Sequence, residues 1–407
     1  MEVLLVGGDD RSMLAAGRSL SDRGIGFAAI GLSPASAFAW SRHLRGRIVP
    51  TPVDVKLDPD RLGEFVVEVA ARPGVEVVVP LTDRALEVCD RHRARIEVNA
   101  RLAAPPSHAV RDVLDKRANL ERARRLGIPC PEQFDLESLD QIVDLAETVG
   151  FPLVLKNPSR TAVGRTLGFS WLVADSEEEV RRLLLRHCPD GPYPLVQRLI
   201  RGTVHNICCF AVRGELVVAH QYEARRRTRG LTTYREVVPL ASRLRGHAES
   251  MLRDLGWEGV AHVGFFVEPN GDVRYMETNG RLWASVAGSI ASGWDFPFWI
   301  YEYFGLDRVP VAPSQGGIGR RSRWHYGELM WLADVLRGRY DASTIERTTR
   351  WRAVVDYFAG FSPRVAADVF RLDDPTPELM EHLRGLRGVV ANAVRGVGRS
   401  RRMGRIS

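Results

Sequence analysis

Lysine is almost missing from this chain. Of its 57 basic residues only Lys56, Lys116 and Lys156 are lysines; the rest are arginine. Arginine replaces lysine readily on solvated faces, but its planar guanidinium does not reproduce a compact ammonium in a tight anion pocket. Each retained lysine is therefore a candidate phosphate contact. Cysteine is sparse as well: Cys89, Cys130, Cys188, Cys208 and Cys209 include no C-x-x-C pair, which excludes a disulfide framework and a zinc site of that type. Cys208 and Cys209 are neighbours in an apolar run, so they should point to opposite faces of a strand as core thiols. No apolar run approaches the roughly 18 residues of a membrane-crossing helix. The first residues, MEVLLVGGDD, lack a basic n-region and signal-peptide core, so a cytoplasmic location is expected. Acid is absent from the last stretch. Arg395–Ser407 holds five arginines, and without it the net charge of +7 falls to +2. That end reads as a solvated basic tail, with neither a nucleic acid nor a membrane as partner.

What is present is enough for two to four domains: 407 residues, 45% hydrophobic and 26% charged. Up to about residue 105 strand-like and helical patterns alternate: Glu2–Val6, Ser12–Arg23, Phe27–Ile30, Leu62–Ala71, Val75–Val79. Alternation implies a parallel sheet with helices on its faces. The turn GGDDRS after the first strand lacks the glycines of G-x-G-x-x-G, which argues against a dinucleotide site. Ala103–Ser107, with two prolines, makes a boundary. The spacing then predicts one helix over His108–Leu126, carrying Lys116 and stopped by Gly127. Phe151–Lys156 reads as a strand. Asn157–Gly168, which includes Gly164, reads as a loop whose backbone N–H groups can cradle phosphates. Ser176–His187 is acidic first and basic later, as suits a helix. Arg213-Gly214 joins two apolar runs as a hairpin. Tyr222–Gly230, with four arginines in five positions, reads as a basic loop. Helical patterns are expected at Leu282–Ser292, Glu328–Leu336 and Pro377–Arg395.

The most informative stretch is Gly256–Arg281. Val260–Val267 and Val273–Met276 flank Asn270-Gly271, a strong hairpin signal. A two-residue loop there sets Gly264 opposite Glu277 and His262 opposite Asn279. Side chains at i and i+2 share a face of a strand, so Glu277 and Asn279 project together, with Arg281 beyond them. A carboxylate and an amide oxygen so placed suit Mg²⁺, and an adjacent arginine suits phosphate oxygens.

EGVAHVGFF…VRYMETNGRLWAS resembles the metal-binding end of the ATP-grasp carboxylate–amine ligases, among them carbamoyl-phosphate synthetase, biotin carboxylase and D-alanine–D-alanine ligase. The resemblance implies an α/β fold. It comprises an N-terminal parallel-sheet pre-ATP-grasp domain (1–105), a linker helix and first lobe of a two-lobed α+β core (106–190), a second lobe with the metal site (191–305), and a mostly helical C-terminal extension with a basic tail (306–407). It implies Glu277 and Asn279 as Mg²⁺ ligands and Lys116 and Lys156 as nucleotide contacts. The loop with Gly164 would cover the phosphates, and Gln197, Arg198, Leu199 and Ile200 would form the adenine hinge. Arg281 with Arg225 or Arg226 would act on an acyl phosphate. Loops at Gly8–Arg11 and Thr82-Asp83 would help form the acceptor site. The expected reaction joins a small-molecule carboxylate to an amine with ATP and Mg²⁺; a homodimer is left open. Two departures stand out. Gly264 occupies the position opposite Glu277 where the family carries another metal ligand, and the hinge lacks a ribose-binding acid, leaving His205 or Asn206 as substitutes. They keep two alternatives in view, a degenerate nucleotide-binding protein and a kinase on the same fold.

Overall fold

The computed structural model describes residues 1–387 except 9–10, 34, 53–57, 137, 139–140, 143–147, 159–168, 170, 190, 314–315 and 345–346. Lys56, the loop with Gly164 and the tail from 388 onward lie outside the described residues.

Three sheets organise the chain. The first is parallel, in the order 27–30, 3–6, 77–80, 101–102. Its three longer strands are buried at every position because helices cover both faces. Arg11–Asp22, Pro59–Ala70 and Asp83–Arg91 are among those helices. Gly31 is required here: its φ is +89°, and a Cβ would meet the carbonyl of Gly7. The second sheet is antiparallel, in the order 133–135, 195–198, 153–156, 171–174. The third has seven strands, in the order 273–279, 259–267, 203–212, 215–228, 231–238, 321–323, 365–367. Its two faces pack into different cores. Cys208 joins the core shared with the first sheet, and Cys209 the one beneath Trp257 and Phe265. All five cysteines are free thiols; burial raises the pKa of Cys130 to about 11 and of Cys89 to about 12.

Several expected elements take a different form. The helix expected over 108–126 breaks in two, Ser107–Leu114 and Lys116–Arg125. Asp115 between them is extended, and its carboxylate accepts from the N–H groups of Arg117 and Ala118. An Asp that caps a new helix competes well with continuing the old one. The basic loop expected at 222–230 is instead the end of a long strand, Glu215–Thr228, turning at Arg229 and Gly230 (φ 52° and 80°) into Leu231–Val238. Of Leu282–Ser292 only Val286–Ala291 is helical; Phe296–Leu306 and Arg350–Ala359 are further helices.

Beyond residue 306 the regular structure described is mainly helix, set between long irregular stretches, and the chain adds the last two strands to the large sheet. It then returns to the first sheet's helices. Asp374, buried, accepts from Arg18 Nε (3.0 Å), Ser41 Oγ (2.6 Å) and the Arg42 N–H (3.0 Å), while Asp368 accepts from Arg11 (2.9 Å). A helix over 376–387 follows, held by Glu381, which accepts from the Trp324 indole N–H (3.0 Å). Burial raises the Glu381 pKa from 4.5 to about 7, against the opposing pull of Trp324 and Arg11. A carboxyl whose folded pKa is raised favours folding in its protonated form. Its contribution is complete below pH 4.5 and is lost as pH rises through about 7. Unfolding midpoints followed from about pH 5 to about pH 8 should therefore decline, and Glu381→Gln should flatten that decline.

Candidate functional site

One cavity of about 530 Å³ lies where the small antiparallel sheet, the large sheet and the first sheet's loops meet. Such a volume suits a small-molecule ligand. Lys116, Lys156, Gln197, Arg198, Leu199, Ile200, Glu277, Asn279 and Arg281 all line it.

Lys116 opens its helix because Asp115 caps it. Its Nζ donates to the Asn157 carbonyl (2.9 Å), and its backbone N–H donates to that of Pro158 (2.9 Å). The helix start is thus tied to the strand that carries Lys156, Leu153–Lys156. Gln197, on the neighbouring strand, is buried. Its amide Nε2 finds no hydrogen-bond acceptor among the described residues. A buried donor left so costs roughly 1–3 kcal/mol, which a ligand acceptor in the cavity would remove.

Across the cavity Gly264 faces Glu277 and His262 faces Asn279. This register arises differently from the two-residue loop expected. The turn spans 268–272, with the Glu268 N–H donating to the Asp272 carbonyl. From Val267 opposite Val273 to Phe265 opposite Tyr275 the pairing lies one residue out of step with Gly264–Glu277. A bulge at Met276 absorbs the difference. In such a bulge two consecutive residues oppose one on the partner strand. Met276 and Glu277 accordingly both line the cavity, while Tyr275 and Thr278 are buried and hydrogen-bonded to each other (2.7 Å). Asn279 Nδ2 donates to Glu277 Oε1 at 3.0 Å. Arg281 Nε donates to Asp83 Oδ1 (2.8 Å), which joins this strand to the helix start after the third strand of the parallel sheet.

Gly264 is not a simple loss. Asn206 is its neighbour on the adjoining strand, and an ideal Cβ at 264 would sit 3.2 Å from Asn206 Oδ1. The missing side chain leaves room for an amide oxygen on the face that carries Glu277. Asn206 is therefore turned to the position opposite Glu277. His205 points to the other face: its ring bonds Thr203 Oγ1 and Gln221 Nε2, and burial, aided by Arg225, lowers its pKa to about 4. Neither His205 nor Asn206 lines the cavity, so neither is a ribose contact.

The arginine cluster requires a correction. Arg225 pairs with Glu223 and Glu236 on an exposed edge. Arg226 donates to the buried Glu328 (2.8 Å) and lies over the Tyr234 and Trp331 rings. Neither lines the cavity. Register irregularities on both sides of Arg226 turn Arg227 toward it instead. Arg227 pairs there with Asp341 (3.3 Å). Sequence reasoning had no signal for which arginine faces inward, because a bulge breaks the period that would have told it.

Sequence reasoning also missed one wall. Tyr222 Oη bonds His262 Nε2 (2.9 Å) and Ser285 Oγ (3.4 Å), and the His262 ring stacks on Trp283, centroids 5.2 Å apart at 25°. Burial raises the Tyr222 pKa above its ordinary value, so the phenol is protonated and can donate. Arg11 closes this end, paired with Asp368 and lying 3.9 Å from the Trp324 ring centroid.

No protein-family model matches the chain. Its architecture matches solved structures closely enough to place the fold. Over 78% of its length it overlays the biotin carboxylase domain of the Hydrogenobacter thermophilus 2-oxoglutarate carboxylase, solved with MgADP and bicarbonate (TM-score 0.59, 18% identity, 72% of that chain). Over 79% it overlays carboxyaminoimidazole ribonucleotide synthase from Aspergillus clavatus, solved with ATP (TM-score 0.60, 14% identity, 80% of that chain). The chain has the ATP-grasp fold. Within that fold, sequence similarity runs to the carbamoyl phosphate synthase large chains. It is 26% identical over 187 residues to the mitochondrial arginine-specific protein of Neurospora crassa and 34% identical over 110 residues to that of Thermus thermophilus. Those alignments cover 42% and 26% of this chain but only 15% and 10% of the relatives' own length. The three sheets correspond to the ATP-grasp arrangement of a parallel-sheet unit beside a two-lobed core, with the cavity between the lobes.

Proposed function

We propose that the chain is an ATP-dependent ligase that activates a carboxylate as an acyl phosphate and joins it to an amine, releasing ADP and phosphate. One observation carries the reading: both described lysines of a lysine-poor chain line a single cavity with Glu277 and Asn279. The unpartnered Gln197 amide on the same wall fits a ligand with acceptor nitrogens, such as a purine. The relatives fit it too: the overlaid structures hold MgADP or ATP. ATP supplies a phosphoryl group that turns a poor leaving group, oxide, into a good one. Lys116 and Lys156 then neutralise phosphate charge, and residues Gln197–Ile200 receive the base. Glu277 and Asn279 on the cavity wall supply hard oxygens for Mg²⁺, and Asn206, buried behind that wall beside Gly264, is the candidate third oxygen. Arg281, steadied by Asp83, and Arg227, in place of Arg225 or Arg226, balance charge on the activated carboxylate. The loop with Gly164 remains assigned to the phosphates. The Tyr222–His262–Trp283 wall of the same cavity is the place for the carboxylate and amine. The units 1–105, 106–190, 191–305 and 306–407 are proposed as the working parts, acting in the cytoplasm. The test is a screen of amino acids and small carboxylates, in pairs with amines, for amine-dependent ADP release. Absence of nucleotide binding and of stimulated hydrolysis would sink the proposal. Product analysis, amide against phosphate ester, separates a kinase.

Gly264 motivates the second reading, a nucleotide-binding protein without turnover. Gly264→Glu discriminates. With Asn206 Oδ1 in that space, the new side chain should crowd Asn206 and lower turnover; a large gain from a near-inactive start favours the degenerate protein. Asn206→Ala should in turn raise the Mg²⁺ concentration needed for half-maximal turnover by about tenfold, the scale of one lost charge-assisted contact. A Mg²⁺ titration that does not move would remove Asn206 from the ion's ligands.

A further inference from the structure

The C-terminal helix over 376–387 turns a leucine stripe to water while much of its inward contact is polar. The side facing the protein is mixed: Pro377 is buried and Met380 packs on the core, but Glu378 accepts from His325 Nδ1 (2.9 Å), Glu381 accepts from Trp324, and His382 lies against the Tyr326 ring. The side facing water is apolar, with Leu379, Leu383 and Leu386 exposed by 59%, 41% and 61%. A helix docked on a soluble protein normally shows the reverse. The exposed stripe is not isolated. Nine of the 21 large apolar side chains left exposed among the described residues lie between 351 and 386, among them Leu372 at 90% and, on helix Arg350–Ala359, Trp351 at 76% and Phe358 at 64%.

Charge decides what covers this face. From His382 to Ser407 the sequence has seven arginines and no acid. The three-and-four spacing of the leucines runs on through Val390, Val394 and Val397, outside the described residues. A second copy of the chain would bring two such arginine-rich ends together and repel itself. A nucleic acid would satisfy the arginines but offers nothing to a leucine stripe. An anionic lipid bilayer offers both acyl chains and negative headgroups, the pairing that surface-lying basic amphipathic helices use. We propose that this end of the molecule is a peripheral membrane-binding surface for anionic lipid. The sequence alone reads it as a solvated tail; the outward direction of Leu379, Leu383 and Leu386 is what changes the reading.

The test is co-sedimentation of the full chain with vesicles of phosphatidylcholine alone and of phosphatidylcholine mixed equally with phosphatidylglycerol. Binding to the mixed vesicles should exceed that to phosphatidylcholine by at least about tenfold and weaken with added salt. Leu379→Glu with Leu383→Glu should lower partitioning by about tenfold or more through loss of apolar insertion. Changing Arg395, Arg399, Arg401, Arg402 and Arg405 to Gln should lower it by about 100-fold. The leucines are exposed and the five arginines lie in the tail, so both variants should keep the parent's circular-dichroism melt. Three results would overturn the proposal: no binding to the mixed vesicles at low salt, unchanged binding of the leucine variant, or a dimer dissolved by the leucine changes in a protein that ignores vesicles.

Discussion

Glu277→Ala lowers amine-dependent ADP release by about 10³-fold, close to 4 kcal/mol of transition-state stabilisation, while leaving the thermal unfolding midpoint within a few degrees of the parent. The size follows from position. Three acids line the cavity: Asp83 pairs with Arg281, Asp341 pairs with Arg227, and Glu277 accepts from Asn279. Glu277 is the one of the three that shares a strand face with Asn279, in the cavity that Lys116 and Lys156 also line. Its removal takes away the strongest hard-oxygen donor for the ion. Stability should hardly change, because Glu277 is half-exposed at the cavity wall while the fold of its strand depends on Tyr275 and Thr278 beneath. Steady-state turnover over a Mg²⁺ series checks this. A variant that keeps a tenth or more of the parent rate at every Mg²⁺ concentration would refute the ion-site reading.

The second large effect is on stability. Glu328 is fully buried and faces two guanidinium groups, Arg226 (2.8 Å) and the equally buried Arg323 (3.9 Å). Burial pulls the Arg323 pKa down, and Glu328 is the largest influence holding it up. Glu328→Ala strands the buried Arg323 and the half-buried Arg226 with their shared anion gone, which costs about 3–5 kcal/mol. Denaturant unfolding should show it as a large fall in midpoint. Arg226→Ala should likewise act on stability, with nucleotide affinity in the folded fraction unchanged. A fall in turnover without a fall in stability would return Arg226 to the chemistry.

How much of this was legible in the sequence depended on period. The parallel sheet could be read because its strands are continuous apolar runs set between helical patterns, and hydrophobic periodicity reports both. Lys116 and Lys156 stood out because the rest of the chain had abandoned lysine. Glu277 and Asn279 were placed opposite the right partners although the turn was misjudged, since a longer turn and a bulge offset one another. Wherever a bulge or a cap interrupts the period, the reading failed. Asp115 splits a helix that spacing alone continues, and the irregular pairing around Arg226 exchanges the inward arginine. The Tyr222–His262–Trp283 wall draws on three separate segments, and no local pattern encodes such a meeting. The C-terminal helix has the same leucine spacing as an ordinary amphipathic one; only tertiary contact shows which side is turned out.

The bulge at Met276 has a consequence for how such a pocket could diversify. A regular ladder sends neighbouring side chains to opposite sides, so an apolar and an acidic lining residue could not come from successive codons. Here they do, as thioether and carboxylate side by side. Deleting Met276 would straighten the ladder and still leave the carboxylate and amide on one side, without the thioether beside them. Under the proposed function, the apolar lining next to the ion ligands could therefore change by a single residue while Glu277 and Asn279 keep their common side.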